Sequence, residues 1–439
     1  MKSKKLTHHL LFVLINLCRF LLAFVFIFSG FVKAIDPLGT SYKLTEYLTH
    51  FQLLDYLPAQ APLILSITLC VVEFIIGIYF FFGIRRKFTG MITFFFLSVM
   101  TLLTLYLAIK DPITDCGCFG EAITLTNWQT FGKNILLLLC LIITNYGRIR
   151  TFRIIAEQNQ WFISFYSLIF IITFSFYSIH YLPIVDFRPY RIGVNIKESM
   201  EIPKNARKPQ YKTLFLFEKE GKRKEFSLEN YPDSTWTYVD SHTITLKEGY
   251  EPPIKDFCVT DSNGEDITKQ ILQDTCYQFV LISPHLSNAD DGTIDVINGI
   301  YDYCSDEGYK FICITAASSS EITAWKDKTG GEYPIFFADD VLLRTIVRSN
   351  PGLVLLKAGT IVAKWSCNDL PDDQNLKGKL ENLSISTISP EKSSIGLLKV
   401  LLLYLLPLLF FTLADRIWIG HKYYKQYKVK SLINKSKEK

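Results

Sequence analysis

Two cysteines one residue apart, Cys116 and Cys118 in the run Asp115-Cys116-Gly117-Cys118-Phe119-Gly120, are the residues of this sequence best suited to chemistry. Thiols at that spacing can close a strained disulfide, exchange in relay with a partner thiol, or share a soft metal ion. The ring closed by a Cys-x-Cys disulfide is small, and strain raises the reduction potential and leaves such a bond labile. Gly117 and Gly120 supply the unusual dihedrals that the turn needs. A static disulfide, or two inert thiols in a tight turn, is the plainer alternative, and the residues alone leave all of these open. Five more cysteines occupy the second half of the chain. Cys258 with Cys276, and Cys304 with Cys367, are candidate structural disulfides, whereas Cys313 lies in an apolar run and reads as a core residue. The histidines His8, His9, His180, His242 and His421 show no metal-ligand spacing, so no metal site is expected.

The cysteine turn lies between two very apolar stretches, 88–109 and 131–146, each long enough or nearly so to cross a bilayer as a helix. Its thiols therefore sit at a membrane surface. Apolar residues make up 49% of the 439, with 34 Phe, and they come in blocks. Six crossings are expected, near 10–34, 63–84, 88–109, 130–147, 161–182 and 395–414. The first run is too long for a signal peptide and has no convincing cleavage site, so it reads as a retained helix. Residues 36–61 suit a short helix lying on the membrane. The basic clusters at the N-terminus, at 85–87, at 148–153 and beyond Arg416 all fall on one side in this scheme. The positive-inside rule makes that side the cytoplasm, with the cysteine turn and the large domain outside. The net charge of +5 is gathered beside apolar runs without interleaved aromatics, which argues for membrane lipid and against nucleic acid.

Two charges stand about midway along the first two segments, Arg19 and Glu73. Both are expensive in hydrocarbon, and two antiparallel helices would let them form a buried pair. Lys33 lies near the outer end, close to Asp115 and the thiols. A cation there favours thiolate and the acid opposes it.

After residue 186 the composition becomes that of a soluble domain. Residues 213–218 and 235–239 look like short strands around a turn at 219–222, and Pro252-Pro253 marks a boundary. Beyond it, strands at 279–283, 310–315 and 334–338 alternate with helices at 319–328 and 341–348. A hairpin at 352–356 and 361–365 follows. Near-continuous apolar strands separated by helices imply a parallel or mixed sheet. The expected organisation is 1–150, a membrane bundle; 151–185, a fifth crossing; 186–252, a small β-rich segment; 253–392, an α/β domain; and 393–439, a last crossing with a basic tail. The fold class is thus a multi-domain membrane protein, an α-helical transmembrane bundle plus an α/β domain.

Arg19, the run Phe28-Ser29-Gly30-Phe31-Val32-Lys33 with Asp36-Pro37, Glu73 with Gly77, the cysteine turn and Asn134 resemble the DoxX-like membrane proteins, in particular the methylamine-utilisation MauE branch. The resemblance covers residues 10–147. It implies a four-helix bundle of the bacterial inner membrane, with a role in disulfide handling during maturation of an exported amine dehydrogenase beside a thioredoxin-like partner. Residues 253–375 resemble the thioredoxin-like superfamily in its TlpA- or peroxiredoxin-like form. The marks are Ile254-Lys255-Asp256-Phe257, Asp261 to Glu265, Tyr333 to Asp339, and Asn350-Pro351-Gly352 to Leu356. Pro351 then matches the superfamily's cis-proline. The Cys-x-x-Cys that should follow the first core strand is replaced by Pro284-His285-Leu286-Ser287-Asn288.

Together these readings give a multi-pass inner-membrane protein in envelope thiol–disulfide exchange or electron transfer. Cys116 and Cys118 would be the redox pair, and the extracytoplasmic thioredoxin-like domain would hold a substrate. The expected partners are exported protein thiols or a periplasmic thioredoxin-like protein. No cofactor is required, and a quinone is the one candidate the membrane charges suggest. The alternatives are an assembly scaffold with a structural dithiol, or a transporter or quinone-linked subunit. In intact cells, maleimide should label a cysteine introduced near Lys222 and miss one placed in the 85–87 turn or the tail. Labelling of the tail without permeabilisation would overturn the six-crossing scheme.

Overall fold

In the computed structural model, which describes every residue except 1, 114, 209, 220, 248, 373–374, 389 and 438–439, the apolar runs are helical. A backbone set in hydrocarbon has to satisfy its own hydrogen bonds. The first half comprises α1 (Lys2–Ile35), α2 (Pro37–His50), α3 (Ala61–Phe82), α4 (Arg86–Lys110), α5 (Asn127–Tyr146) and α6 (Gln160–His180). Four of these, α1, α3, α4 and α6, together with the last helix of the chain, are long and apolar enough to cross a membrane. The region is thus a membrane-embedded bundle. α5 was expected to be a crossing too, but it is not among those five, because Asn127, Gln129, Lys133 and Asn134 make its first half polar. It nonetheless lies against α4 and α1 as the fourth long member of the bundle.

α1 and α3 approach most closely, and glycine is the reason. A Cβ on Gly30 would come within 2.6 Å of the Phe74 backbone nitrogen, and one on Gly77 within 2.6 Å of that of Ile27. Small residues of this kind let membrane helices pack backbone to backbone. The same register corrects one expectation, since Arg19 and Glu73 do not pair. With Gly77 beside Ile27, the antiparallel neighbour of Glu73 is Lys33, while Arg19 lies level with the end of α3. There its guanidinium donates to the carbonyls of Phe80 (2.6 Å), Phe81 (2.5 Å) and Phe152 (2.6 Å) and sits over the Phe152 ring. The basic turns gather at this end. Arg86 donates to the carbonyls of Arg148 and Thr151.

α2 begins at Asp36, whose side chain accepts from the Gly39 amide at 2.9 Å, with Pro37 in the first turn. α5 opens on a capping box between Thr126 and Gln129.

The second half is a separate α/β region. Its lead-in carries α7 (Ile196–Met200). An antiparallel sheet in the order β2-β1-β3 follows, built from β1 (Gln210–Lys219), β2 (Lys222–Ser227) and β3 (Thr237–Lys247). β2 was not foreseen, because Lys222-Arg223-Lys224 reads as a basic loop and only its pairing with β1 makes it a strand. After α8 (Thr268–Gln273) come β4 (Tyr277–Ser283), α9 (Ile294–Glu307), β5 (Lys310–Thr315), α10 (Ser319–Thr329), β6 (Ile335–Phe337), α11 (Asp340–Ile346), β7 (Gly352–Lys357) and β8 (Thr360–Ser366). The five strands run β6-β5-β4-β7-β8, parallel through β6, β5 and β4 and antiparallel through β7 and β8. Alternate residues of β4 enter two cores. Val280 and Ile282 pack towards α11, and Phe279 and Leu281 towards α9. The Asn350–Pro351 peptide bond is cis.

None of the ten cysteines is disulfide-bonded in this structure, which differs from the pairing considered for Cys258 with Cys276 and Cys304 with Cys367. Cys258 points outward between buried Phe257 and Val259, and Cys276 is exposed. Cys304 follows Ile297 and Ile300 on the inner face of α9, at helical spacing, and is a core residue. Cys367 directly follows β8, where its amide donates to the Ser349 hydroxyl at 2.9 Å.

The chain closes with α12 (Pro390–Lys437). At 1.5 Å per residue it runs roughly 70 Å, about twice the hydrocarbon thickness. It docks on α6 through Phe411 stacked on Phe162 at 4.0 Å and the Tyr404 hydroxyl against Ser167 at 2.8 Å. Gly30→Val or Gly77→Val should force α1 and α3 apart at a cost of about 1–3 kcal/mol or more. A thermal midpoint in detergent that does not fall would show that the two backbones can separate freely.

Candidate functional site

The turn that carries Cys116 and Cys118 is held from three directions. From below, the Lys33 ammonium on α1 donates to Glu73 Oε2 on α3 (2.6 Å), to Ser29 Oγ (2.8 Å) and to the Cys118 carbonyl (2.8 Å). Ser29 donates to the same carbonyl at 2.7 Å. Lys33 and Glu73 are both buried, with side-chain exposures of 4% and 8%. From the side, Lys43 on α2 pairs with Asp115 at 2.5 Å, and Tyr47 one turn further on donates to the Asp115 carbonyl at 3.4 Å. From α5, the Lys133 ammonium lies 4.5 Å from the centre of the Phe119 ring. Phe119 in turn packs edge-on against Phe28 of α1.

Within the turn the two Sγ atoms are 3.1 Å apart. Gly117 has φ +64°, and the Lys43 side chain passes where its Cβ would stand, at 3.1 Å, so only glycine fits there. The pair is electrostatically lopsided. Cys118 is held below the ordinary thiol range, first by the hydrogen bond from Cys116 and then by Lys133 and Lys33, which outweigh burial. Cys116 is pushed the other way, because it is the donor in that bond and is itself buried. Negative charge on the pair is therefore favoured at Cys118 over Cys116.

Of the residues singled out from sequence, Cys116, Cys118, Lys33, Glu73 and Asp115 come together here. Asn134 lies close by on α5, donating to Thr104 Oγ1 at 3.2 Å. Arg19 belongs to the other end of the bundle. Pro351 and the cysteines of the α/β region are not part of this turn. Tyr47 and Lys133 were missed. Lys133 stands one residue before Asn134, and a cation nearly two turns inside a helix of the bundle was the available signal.

The α/β region touches the bundle beside this turn. Arg348, only 5% exposed, bridges Asp36 and Glu121 at 2.8 Å each. Arg348 and its neighbour Arg344 both lie over the Tyr42 ring of α2, at 5.4 and 5.0 Å. Arg344 also meets His285 at 2.9 Å, and the Asn350 side chain donates to the His285 carbonyl at 2.9 Å. The loop after β4 thus faces α2 across Arg344, at Tyr42, which adjoins Lys43. Among the described residues no cluster of three His, Cys, Asp or Glu could hold a metal ion.

Comparison with known families agrees with the bundle. Residues 11–146 match the family described as Methylamine utilisation protein MauE, and residues 211–248 match a domain of unknown function, DUF8463. No curated protein and no solved structure matches the chain. The bundle is accordingly similar to the family described as Methylamine utilisation protein MauE.

Lys33→Met alone should strand the Glu73 carboxylate in the bundle and destabilise it by about 3–5 kcal/mol, whereas Lys33→Met with Glu73→Leu should recover much of that loss. Unfolding in detergent measures both. A double variant as unstable as the sum of the two single ones would mean that the residues act independently.

Proposed function

We propose that this chain is a multi-pass protein of the bacterial inner membrane whose Cys116 and Cys118 exchange disulfides with, or pass electrons to, exported protein thiols or a periplasmic thioredoxin-like protein. One observation carries the reading. The two sulfurs are 3.1 Å apart, close enough that only about 1 Å of movement separates them from a bond, and Cys118 is set up as the thiolate. The thiolate is the nucleophile in exchange. Cys118 attacks a sulfur of the partner's disulfide and expels the other as a thiolate, which takes up the Cys116 proton. Cys116 then loses its proton, attacks the mixed disulfide at Cys118, and releases the reduced partner with the pair closed. The reverse sequence oxidises a dithiol partner.

Orientation follows from the basic ends. Arg86 reaches 148–151, and Arg416 of α12 donates to the carbonyls of Arg153 and Ile154, so these clusters share one end, opposite the cysteine turn. α5 runs from the turn to that basic end and is taken as the sixth crossing. Both termini are then cytoplasmic, and the thiols and the α/β region extracytoplasmic.

The strand order, the antiparallel β7–β8 pair and the cis Asn350–Pro351 bond support a thioredoxin-like domain over 253–392, without its dithiol. The position that dithiol would occupy, at His285–Asn288, faces α2. The domain is therefore read as a holder placed over chemistry that the bundle supplies, preceded by the small β-rich segment 186–252.

Alkylation of Cys118 should have its pH midpoint below that of an ordinary thiol, falling on the acid side as the thiolate is protonated. In Cys116→Ala the lost hydrogen bond should move that midpoint upward. Cells carrying Cys116→Ser should accumulate mixed disulfides that vanish when Cys118→Ser is added. If no mixed disulfide forms, and growth that depends on the protein survives replacement of both cysteines by serine, the dithiol is structural and the chain is a scaffold.

A further inference from the structure

The end of the bundle opposite the cysteine turn carries an open pocket of about 570 Å³ that plays no part at the thiols. It lies between the turn from α3 to α4 and the segment after α5. Five cations line it, Arg85, Arg86, Lys87, Arg148 and Arg153. Like charges gathered this closely repel one another, so something has to hold them together. Arg86 does so by donating to the Arg148 carbonyl (2.7 Å) and to the Thr151 carbonyl (2.6 Å) and hydroxyl (2.8 Å), which fastens one basic turn to the other. That tether uses no negative charge. Among the described residues, only Arg153 of the five has an acidic partner, Glu157, while the side chains of Arg85, Lys87 and Arg148 make no ion pair and no hydrogen bond. The pocket also opens on the first turn of α4, which no side chain caps, and the helix dipole there adds to the positive field.

The pocket is built for an anion, and the groove beside it indicates which kind. That groove, of about 460 Å³, lies between α3 and α6 and shares Arg85 with the pocket. The two meet again where Glu157 of the groove pairs with Arg153 of the pocket. Ile75 and Tyr79 of α3 form one wall and Phe165 and Leu168 of α6 the other, with Trp161 near the mouth. From Gln160 to Leu168 the groove follows α6 for about 12 Å into the membrane-spanning part of the bundle. Phe88 and Ile149, both exposed, stand in the pocket itself beside the cations. A soluble anion has no use for apolar walls. A lipid has a phosphate for the pocket and an acyl chain for the groove, and basic pockets between membrane helices take lipid headgroups.

We propose that the pocket and groove form a binding site for an anionic phospholipid, with its phosphate among Arg85, Lys87 and Arg148 and one acyl chain between α3 and α6. Guanidinium groups suit this role because they grip phosphate oxygens in pairs. A headgroup with its own ammonium is disfavoured, since that cation would lie among the five and the acid at hand, Glu157, is already held by Arg153. Phosphatidylglycerol therefore fits where phosphatidylcholine does not. The bound lipid neutralises a cluster that the fold leaves open and ties α3, α4 and α6 together at one end. The inference is independent of the chemistry at the cysteine turn.

The test uses the full chain, purified in maltoside detergent and freed of lipid. Dioleoyl-phosphatidylglycerol is the probe, dioleoyl-phosphatidylcholine the zwitterionic control, and glycerol 3-phosphate the headgroup without chains. Native mass spectrometry counts bound lipid across a titration, and the thermal midpoint is read alongside. One phosphatidylglycerol should bind at least tenfold more tightly than phosphatidylcholine and raise the midpoint. Arg85→Gln/Arg148→Gln should weaken that binding at least tenfold and leave the lipid-free midpoint unchanged, as neither side chain has a partner in the fold. Lys87→Gln/Arg148→Gln should do the same and guards against misfolding of the first variant. Ser164→Trp, which fills the groove, should also weaken it. Lys422→Gln/Lys425→Gln removes the same charge from α12 and should leave binding within twofold. If the two lipids bind alike, or the α12 variant loses as much as the pocket variants, the cations attract lipid only by their net charge and the site is refuted. If glycerol 3-phosphate displaces phosphatidylglycerol at equal concentration, or Ser164→Trp binds the lipid as tightly as the parent, the pocket takes phosphate alone and the lipid assignment fails.

Discussion

One ammonium group ties the reactive turn to the membrane helices. Lys33 has three N–H bonds and spends them on Glu73, on Ser29 and on the carbonyl of Cys118. A buried cation needs this full satisfaction, because a partly satisfied one is costly in a low-dielectric interior. The consequence is positional. The α1–α3 register, fixed by Gly30 and Gly77, decides where Lys33 meets Glu73. That meeting decides where the cysteine turn sits, and the turn decides where the α/β region can land.

Around that anchor, the thiols acquire an asymmetry that two identical side chains do not possess alone. Cys118 has Lys33 and Lys133 within electrostatic reach, and charge on the touching pair is favoured there over Cys116. The difference between the two thiols thus comes from the helices around the turn, while the closeness of the sulfurs comes from the short Cys-Gly-Cys link itself.

The apolar runs were legible because hydrocarbon leaves helices as the only local answer, and the alternating strands of the α/β region because their residues divide between two cores. The cysteine turn was legible from spacing alone. What sequence could not supply was register. Arg19 and Glu73 looked level when each segment was halved, yet the glycine contact slides α1 along α3 until Lys33 faces Glu73 and Arg19 faces open carbonyls. Tyr47 and Lys133 went unnoticed for the same reason, as each matters only through what lies across from it. β2 was hidden because a basic strand on a two-sided sheet has no apolar alternation to announce it. Matching exposure was no guide to the cysteine pairs, since Cys258 and Cys276 are both exposed and Cys304 and Cys367 both buried, yet neither pair is bonded.

Asp36 belongs to two structures at once. Its carboxylate closes the first turn of α2 through the Gly39 amide and also receives the Arg348 guanidinium from the α/β region. Helix initiation and domain seating therefore draw on the same two oxygens, and by thermodynamic reciprocity each must strengthen or weaken the other. Because α2 also carries Lys43 and Tyr47 to the thiols, any fraying at its start would be felt as a change in thiol reactivity. A large domain resting on the bundle thereby acquires leverage over two sulfur atoms that it need not touch.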